Sequence, residues 1–215
     1  MQNRPNLTIE RKLWRQGYGR VLGIDEVGRG ALAGNVTVAA VLFSPGLQMN
    51  GVRWRNLLGR INDSKQLTPK RREEVFEMLK EFPEIEWRAA YISENVIDRI
   101  NIRKATERAM LRVIKKFDRP PDFVIFDGIH FSARALDTLN HLFLVKADAR
   151  VMSCALASII AKVTRDRYMK RIAKKYPVYG FEKHKGYGTL RHRDAIRKHG
   201  PCVLHRRSFH LTRYA

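Results

Sequence analysis

The stretch LGIDEVGRG, residues Leu22 to Gly30, places two adjacent acids after a short apolar run and before a loop in which glycines flank Arg29. This run lies within VLGIDEV (21–27), which is short, rich in β-forming residues and followed by glycine, a pattern that predicts a β-strand. Acids are scarce in the chain, which has 21 Asp and Glu against 42 Lys and Arg in 215 residues. The neighbouring acids Asp25 and Glu26 at the end of a predicted strand therefore need a chemical explanation.

The remainder of the chain alternates strand-like and helix-like segments. Further strands are predicted at 36–43, 85–93, 122–127 and 142–148, and helices at 68–82, 94–117, 151–176 and 189–200. Thr68 and Thr189 are residue types that begin helices, and Gly200 before Pro201 is typical of a helix end. Early strands, interleaved helices and helices at the end predict a mixed α/β fold with a helical C-terminal part.

The length and composition predict one domain. Residues 1–215 lack a Ser-, Gly- or Pro-rich linker and an internal repeat, so we expect an α/β core over about 20–170 and a basic helical segment over about 171–215. The two cysteines, Cys154 and Cys202, have neither metal-type spacing nor disulfide-scaffold surroundings. The charged N-terminal segment lacks the apolar core of a signal peptide, and no apolar run is long enough to span a bilayer. A cytoplasmic location is expected.

The charge of the chain is strongly basic and unevenly distributed. The formal net charge is +21, and residues 162–215 carry 16 basic and 3 acidic residues, which is +13 of that total. Such an excess favours a polyanionic partner, because displacing counterions from phosphates drives association. Colloidal stability is the ordinary alternative. An anionic membrane is less favoured, since no basic helix shows an apolar insertion face.

Three predicted strands end in acids: Asp25 with Glu26, Asp127 and Asp148. Ends of neighbouring strands in an α/β sheet are common places for a site, and converging carboxylates repel one another unless cations bind. All-oxygen ligands suit Mg²⁺ or Mn²⁺, and two such ions could support phosphodiester cleavage. Adjacent residues on a regular strand point to opposite faces, so Asp25 and Glu26 converge only if the strand bulges or ends. Ordinary turn or ion-pair roles are the alternative for each acid.

The loop Gly28-Arg29-Gly30 permits close approach of a ligand to the backbone, whose N–H groups could reach a sugar hydroxyl or phosphate. A dinucleotide-binding loop is excluded by the spacing, since Gly28, Gly30 and Gly34 do not match G-x-G-x-x-G. The two preceding acids would also repel a pyrophosphate. A simple tight turn stays open as an alternative.

Basic and aromatic residues toward the C-terminus are further candidates. Ser158, Lys162 and Arg165 share one face of a predicted helix, which indicates either a phosphate contact or a solvated surface. Tyr187 lies in HKGYG (184–188), a loop that could present its ring for stacking on a sugar or base. A core role for that tyrosine is the ordinary alternative.

Several motifs together resemble the type 2 ribonucleases H, specifically the ribonuclease HII family. They follow the family's order over about residues 20–209 and read GIDEVGRGALAG, NDSKQLTPKRREE, VIFDG, KADARVMSCALASIIAKVTRDRYM, YPVYGFEKHKGYGT and HRRSF. The resemblance implies a ribonuclease H-like mixed sheet flanked by helices. It also implies a metal-dependent endoribonuclease that hydrolyses the RNA strand of RNA–DNA hybrids. Such an enzyme would also incise 5′ to ribonucleotides embedded in duplex DNA, leaving 3′-hydroxyl and 5′-phosphate ends.

The resemblance further implies roles for individual residues. Its metal-binding and catalytic acids fall on Asp25, Glu26, Asp127 and Asp148, which would hold two Mg²⁺ or Mn²⁺ ions with substrate. The loop that reads the 2′-hydroxyl falls on Gly28, Arg29 and Gly30, and the tyrosine at the RNA–DNA junction falls on Tyr187. Phosphate contacts fall on Lys65, Ser158 and Lys162. Asp166 is a tempting fourth acid, but the KAD segment matches the family's ligand position better.

The chain departs from the family pattern at a few positions. Ile129 replaces a common asparagine, Ala147 a usual glycine and Asn35 a common proline, and the second change could shift Asp148. The sister enzyme, ribonuclease HIII, typically has lysine between the two glycines and a long N-terminal extension, so Arg29 and the short leader favour HII.

Two other classes of function stay in view. A binding-only protein would bind hybrids regardless of Mg²⁺, and an interaction protein with incidental charge would show no salt-sensitive affinity for nucleic acid. The expected partners are RNA–DNA hybrids and ribonucleotide-containing DNA, with no membrane partner. The chain is expected to be a monomer, and a replication-clamp partner is left open.

Overall fold

The fold is taken from a computed structural model that describes residues 4–46, 50–61, 67–128, 136–209 and 211. Five strands and seven α-helices lie in these ranges. The strands are β1 (Val21–Val27), β2 (Val36–Phe43), β3 (Glu86–Ile92), β4 (Phe123–Asp127) and β5 (Asn140–Leu144). The helices are α1 (Thr8–Arg15), α2 (Gly51–Arg60), α3 (Pro69–Met78), α4 (Glu94–Ile114), α5 (Met152–Ala173), α6 (Phe181–His184) and α7 (Leu190–His199).

The strands form one mixed sheet in the order β3-β2-β1-β4-β5. The first three strands pair antiparallel, whereas β1 with β4 and β4 with β5 are parallel. All eight side chains of β2 are buried, because helices cover both faces of the sheet. The face with Ala39 and Val41 packs against α2, α3 and α5, and the face with Val38 and Ala40 packs against α4. This mixed α/β architecture is the predicted one.

Helix α5 lies very close to β1. An added Cβ at Gly23 would lie 2.6 Å from the backbone nitrogen of Cys154, so only glycine permits this approach. The buried Glu10 of α1 accepts hydrogen bonds from the backbone N–H and the hydroxyl of Ser153, at 2.9 Å each. The first turn of α5 is therefore fixed between the sheet and α1, next to the end of β1.

Helix ends follow the predicted residues at two places. Thr68 and Thr189 are the N-caps of α3 and α7, and each hydroxyl accepts a backbone N–H bond at 3.3 Å. The prediction of a strand over 142–148 is wrong in its second half, because β5 ends at Leu144. The backbone then takes a left-handed conformation at Lys146, with φ of 57°, and Asp148 lies on a short 3-10 turn.

The C-terminal part is tied to the loop that follows β1. Short bridges join Ala31 to Tyr187 and Ala33 to His205, and the N–H of Leu32 donates to Gly186 O at 2.8 Å. An added Cβ at Gly186 would overlap the carbonyl of Ala33, so glycine is required for this contact. No helix in the described part of the chain has the length and apolar character needed to cross a membrane.

Candidate active site

The acids converge because adjacent parallel strands end side by side. Pairing between β1 and β4 stops at Ile24 and Phe126, and Asp25 and Asp127 are the next residues on each strand. Asp148 reaches the same place from its turn, and one carboxylate oxygen from each of the three aspartates lies within 4.8 Å of the others. Asp148 is only 1% exposed, so the cluster closes the inner end of the site.

Asp127 connects the other members of this cluster. Its Oδ1 accepts the N–H of Ala147 at 2.8 Å and its Oδ2 accepts the N–H of Asp148 at 3.3 Å. These bonds hold the 3-10 turn against the end of β4 and explain how Asp148 reaches the site from outside a strand. Ala147, at the position where the family usually has glycine, is fully buried in the turn and donates its N–H to Asp127.

Glu26 lies in the same pocket but outside the three-aspartate cluster. The register of β1 against β2 continues without a bulge through Val27, so Asp25 and Glu26 point to opposite faces. The Glu26 carboxylate pairs with the Arg29 guanidinium at 3.1 Å. The bulge that would have brought both side chains inward is absent from this strand.

Burial and like charge make the acids unfavourable as a bare anionic cluster. The pKa of Asp25 is raised well above its ordinary value, first by burial and then by the carboxylates of Glu26 and Asp127, while a hydrogen bond from the Ser158 hydroxyl lowers it. Burial raises the pKa of Asp127 to about 6, with Asp148 and Glu26 adding to the effect. The donor set consists of oxygens alone and is therefore suited to a hard divalent cation.

A pocket of about 660 Å³ opens in front of the acids. Its lining includes nearly every described residue expected at the site, namely Asp25, Glu26, Gly28, Arg29, Gly30, Asp127, Ser158, Lys162 and Tyr187. Asp148 lies in the cluster behind this lining. The predicted phosphate contact Lys65 and the departure Ile129 fall outside the described residues. Asp166, the rejected alternative, pairs with Lys162 at 2.7 Å and is not in the cluster.

The surrounding protein requires glycine at Gly28 and Gly34 but not at Gly30. Gly28 has a φ of +89°, and an added Cβ would overlap the Arg165 side chain. Gly34 has a φ of +83°, and its Cβ would meet the Met169 sulfur at 2.6 Å. Gly30 has neither constraint, since nothing lies within 4 Å of its Cβ position. Gly30 therefore leaves space in the pocket rather than in the protein interior.

Arg165 does not belong to a ligand-facing surface. The helical spacing grouped it with Ser158 and Lys162, but its side chain is fully buried and donates to three backbone carbonyls. Both the phosphate-contact and the solvated-surface interpretations of Arg165 are wrong. Lys162 does face the pocket, with its Nζ 5.8 Å from the centre of the Tyr187 ring.

Sequence reasoning missed two basic residues in the pocket lining, Arg72 and Lys146. Arg72 is half-buried in the first turn of α3, in the motif TPKRREE, and Lys146 precedes the acid in KAD. Neither stands out in a chain with 42 basic residues. Their positions become significant only once α3 and the turn after β5 are seen to flank the acids.

Comparison with known proteins gives the family. The family model described as Ribonuclease HII matches residues 22–212. A ribonuclease HII of Chlamydia trachomatis serovar A is 44% identical over 201 residues, which cover 94% of this chain and 87% of the relative. The chain belongs to the ribonuclease HII family. Membership makes it a metal-dependent hydrolase of the ribonuclease H type and supports cleavage of the RNA strand of RNA–DNA hybrids.

Solved structures support the fold. The ribonuclease H2 of Pyrococcus horikoshii OT3 superposes with a TM-score of 0.71 at 24% identity, covering 90% of this chain and 95% of that one. The ribonuclease HII of Archaeoglobus fulgidus, solved in a complex with PCNA, has a TM-score of 0.69 at 28% identity, with coverage of 86% and 93%. The prediction of a ribonuclease H-like mixed sheet flanked by helices is confirmed.

Proposed function

We propose that this ribonuclease HII incises duplex DNA on the 5′ side of an embedded ribonucleotide, in addition to cleaving RNA–DNA hybrids, and leaves 3′-hydroxyl and 5′-phosphate ends. One observation carries the proposal: the three clustered aspartates share a pocket with the glycine–arginine loop and Tyr187. The groups expected for phosphodiester hydrolysis thus face the same space as those expected to recognise a ribose.

Asp25, Asp127 and Asp148, with Glu26 beside them, are the residues that would hold the metal. The raised pKa values of Asp25 and Asp127 and the all-oxygen chemistry of the cluster fit Mg²⁺ or Mn²⁺, whose charge would offset the repulsion between carboxylates. Two such ions supply activation of the attacking water and stabilisation of the leaving 3′-oxygen. The number of ions and the choice between the two metals belong to the proposal.

The glycine–arginine loop would recognise the ribose. Arg29 and Gly30 are exposed at the rim of the pocket, and the open space at Gly30 admits a sugar close to the backbone. A backbone N–H can donate to the 2′-hydroxyl, which is the group that distinguishes RNA from DNA at a site. The ion pair from Arg29 to Glu26 would also connect the recognition loop with the acids.

Other residues of the pocket lining would position the duplex. Tyr187 presents a half-buried ring next to the Lys162 ammonium, an arrangement suited to packing on a sugar at the RNA–DNA junction. Lys162 and Arg72 would contact backbone phosphates, which fix the register of the duplex without reading its sequence. Ser158 also lines the pocket, where its hydroxyl donates to Asp25, and its contact with a backbone phosphate stays a prediction.

The test is an incision assay on DNA duplexes that carry one ribonucleotide and a 5′ label. With Mg²⁺ we expect one cut on the 5′ side of the ribonucleotide, no cut with a chelator, and a product that a DNA polymerase can extend from its 3′-hydroxyl. An all-DNA duplex is the control. Cutting on the 3′ side, or hybrid cleavage without cutting at a single ribonucleotide, would contradict the proposal.

The remaining expectations concern partners and location. PCNA is bound by the Archaeoglobus fulgidus relative, and a clamp partner for the present chain stays a prediction that a binding assay with a purified clamp can check. The monomeric state and the cytoplasmic location stay predictions as well.

A further inference from the structure

The motif HRRSF supplies a buried arginine behind the segment from Gly28 to Asn35, which begins with the glycine–arginine loop and is called the recognition loop below. Arg206 is fully buried, and its guanidinium donates four hydrogen bonds to carbonyl oxygens of that loop. The acceptors are Gly28 O at 2.7 Å, Arg29 O at 2.9 Å, Gly34 O at 2.9 Å and Asn35 O at 3.0 Å. One side chain 171 to 178 residues away along the chain therefore fixes both ends of the loop.

A second buried arginine reinforces the same loop. Arg165 donates to Asn35 O at 2.9 Å, to Ala33 O at 3.0 Å and to Lys185 O at 2.8 Å. Burial lowers the pKa of both guanidinium groups, that of Arg206 to about 9. A guanidinium in a protein nevertheless stays protonated. Within the described ranges neither forms an ion pair with a carboxylate. Their charge is stabilised by backbone carbonyls, and moving those carbonyls would be costly.

The orientation of these carbonyls sets the direction of the N–H groups. In a planar trans peptide, the N–H points opposite to the carbonyl of the preceding residue. Because Gly28 O and Arg29 O point to the buried Arg206, the N–H groups of Arg29 and Gly30 point away from it. Both residues line the pocket, so these donors are directed to the side where a ribose would lie.

His205, the residue before Arg206, is connected to the Tyr187 loop through His192. Its Nε2 lies 3.1 Å from Nε2 of His192, whose Nδ1 lies 3.0 Å from Tyr187 O. The other His205 nitrogen, Nδ1, accepts the N–H of Cys202 at 2.9 Å. These partners assign one tautomer to each ring, with His192 donating to Tyr187 and His205 donating to His192.

We propose that His205 and Arg206 are positioning residues that orient the Gly28–Gly30 backbone and the Tyr187 loop for recognition of the 2′-hydroxyl. Two consecutive residues thereby hold the two neighbouring recognition segments, which the bridge between Ala31 and Tyr187 joins at the pocket. The proposal rests on the function proposed above. It also gives a reason for the conformation of the C-terminal segment, which Asp98 of α4 anchors through Ser208 and the Arg207 backbone.

The test measures discrimination rather than activity. All proteins carry Asp127→Asn to prevent turnover. Fluorescence anisotropy in Mg²⁺ gives Kd for an all-DNA duplex and for the same duplex with one 2′-hydroxyl. The discrimination ratio is the Kd of the all-DNA duplex divided by the Kd of the duplex with the 2′-hydroxyl. A merely structural defect reduces the active fraction equally for both duplexes and leaves the ratio of the two Kd values unchanged. Arg206→Lys keeps the charge but loses the planar set of donors, so we expect the ratio to fall by roughly tenfold.

The matched control is Arg207→Lys, the same change at the exposed neighbouring arginine, which should leave the ratio unchanged. For the histidine, His205→Phe removes the donor to His192 and should lower the ratio. His205→Gln retains an amide donor, so it should keep most of the ratio that the parent shows. This pair decides the outcome if Arg206→Lys does not fold.

The outcomes separate the two proposals. If the parent binds both duplexes equally, recognition of the ribose fails and the positioning inference fails with it. If the parent discriminates but folded Arg206→Lys and His205→Phe discriminate equally well, only the positioning inference is overturned.

Discussion

At Asp25, burial and the neighbouring carboxylates of Glu26 and Asp127 all disfavour the charged form. Selection for stability alone would replace such a group by a neutral one, because an unpaired buried charge is costly. The hydrogen bond from Ser158 offsets only part of the effect. A divalent cation resolves the conflict, and this is the residue-level argument for metal binding at the ends of β1 and β4.

Gly30→Ala separates folding from substrate recognition at one residue. No atom lies within 4 Å of the added Cβ and the backbone φ is not in the left-handed region, so the melting temperature should change by less than about 2 °C. The methyl group would occupy the pocket, so kcat/KM on a single-ribonucleotide duplex should fall by about tenfold or more, about 1.4 kcal/mol.

Gly28→Ala is the contrasting variant for this prediction. Its φ of +89° and the overlap with Arg165 should lower the melting temperature as well as the activity. An unchanged kcat/KM for Gly30→Ala would remove that position from the ribose contact.

His192 and His205 should make stability depend on pH. Burial lowers the pKa of both from 6.5 to about 4, with the neighbouring His184 adding to the effect. The unfolded chain therefore binds more protons between these values, so stability is fully present above about pH 6.5 and is lost as the pH falls toward 4. Each histidine would contribute up to about 2 kcal/mol of loss between pH 7 and pH 5.

Melting temperatures at pH 7 and pH 5 check this dependence. His205→Gln removes one titrating group and should show a smaller decrease than the parent, whereas the exposed His199→Gln should match the parent. An identical decrease in His205→Gln would show that this ring does not control the pH response.

At the scale of elements, the contact between β1 and α5 positions the site. Gly23→Ala would place a Cβ 2.6 Å from the backbone of Cys154, in a region fixed on both sides. Overpacking of this kind costs roughly 1–3 kcal/mol and should lower the melting temperature by roughly 3–10 °C. Since Asp25 lies two residues further on the same strand face, cleavage should fall as well.

Gly19→Ala is the control for this contact, because its nearest neighbour is a carboxylate oxygen of Asp122 at 3.4 Å. Thermal unfolding followed by circular dichroism measures both variants. Equal melting temperatures would mean that α5 can move away from β1 without cost.

Most elements were predictable because their patterns are local. The bounds of β1 and β2 match the predicted ones, and the Thr68 and Thr189 caps were recognisable from residue type. The strand predicted over 142–148 is wrong after Leu144, since the apolar run continues in sequence while the chain turns at Lys146. Apolar character alone does not show where a strand ends.

The site was predictable only in part, because its decisive contacts are distant in sequence. The acids could be named, but their convergence depends on which strands are neighbours, and the regular register of β1 separates Glu26 from the three aspartates. The roles of Arg165, His192 and Arg206 depend on partners up to 178 residues away for Arg206 and 132 for Arg165. Residue type and helical spacing carry no signal for such contacts.

For the whole molecule, the net charge of +21 should control binding to nucleic acid. Displacing counterions from several phosphates predicts that affinity for a hybrid decreases steeply with salt, with a log–log slope steeper than about −3. Anisotropy titrations of the Asp127→Asn protein over a range of NaCl concentrations measure the slope. A flat response would contradict the phosphate contacts assigned to Lys162 and Arg72.

The most direct test of the account compares cleavage of an RNA–DNA hybrid by the unaltered protein, Asp127→Asn and the exposed control Asp118→Asn. With Mg²⁺, the unaltered protein and Asp118→Asn should cleave equally, and a chelator should stop both. Asp127→Asn should be slower by at least about 10³-fold, or about 4 kcal/mol, while retaining its fold and its affinity for the hybrid. Cleavage by Asp127→Asn within tenfold of the unaltered rate, or cleavage that persists in chelator, would contradict the clustered aspartates as the metal-binding centre.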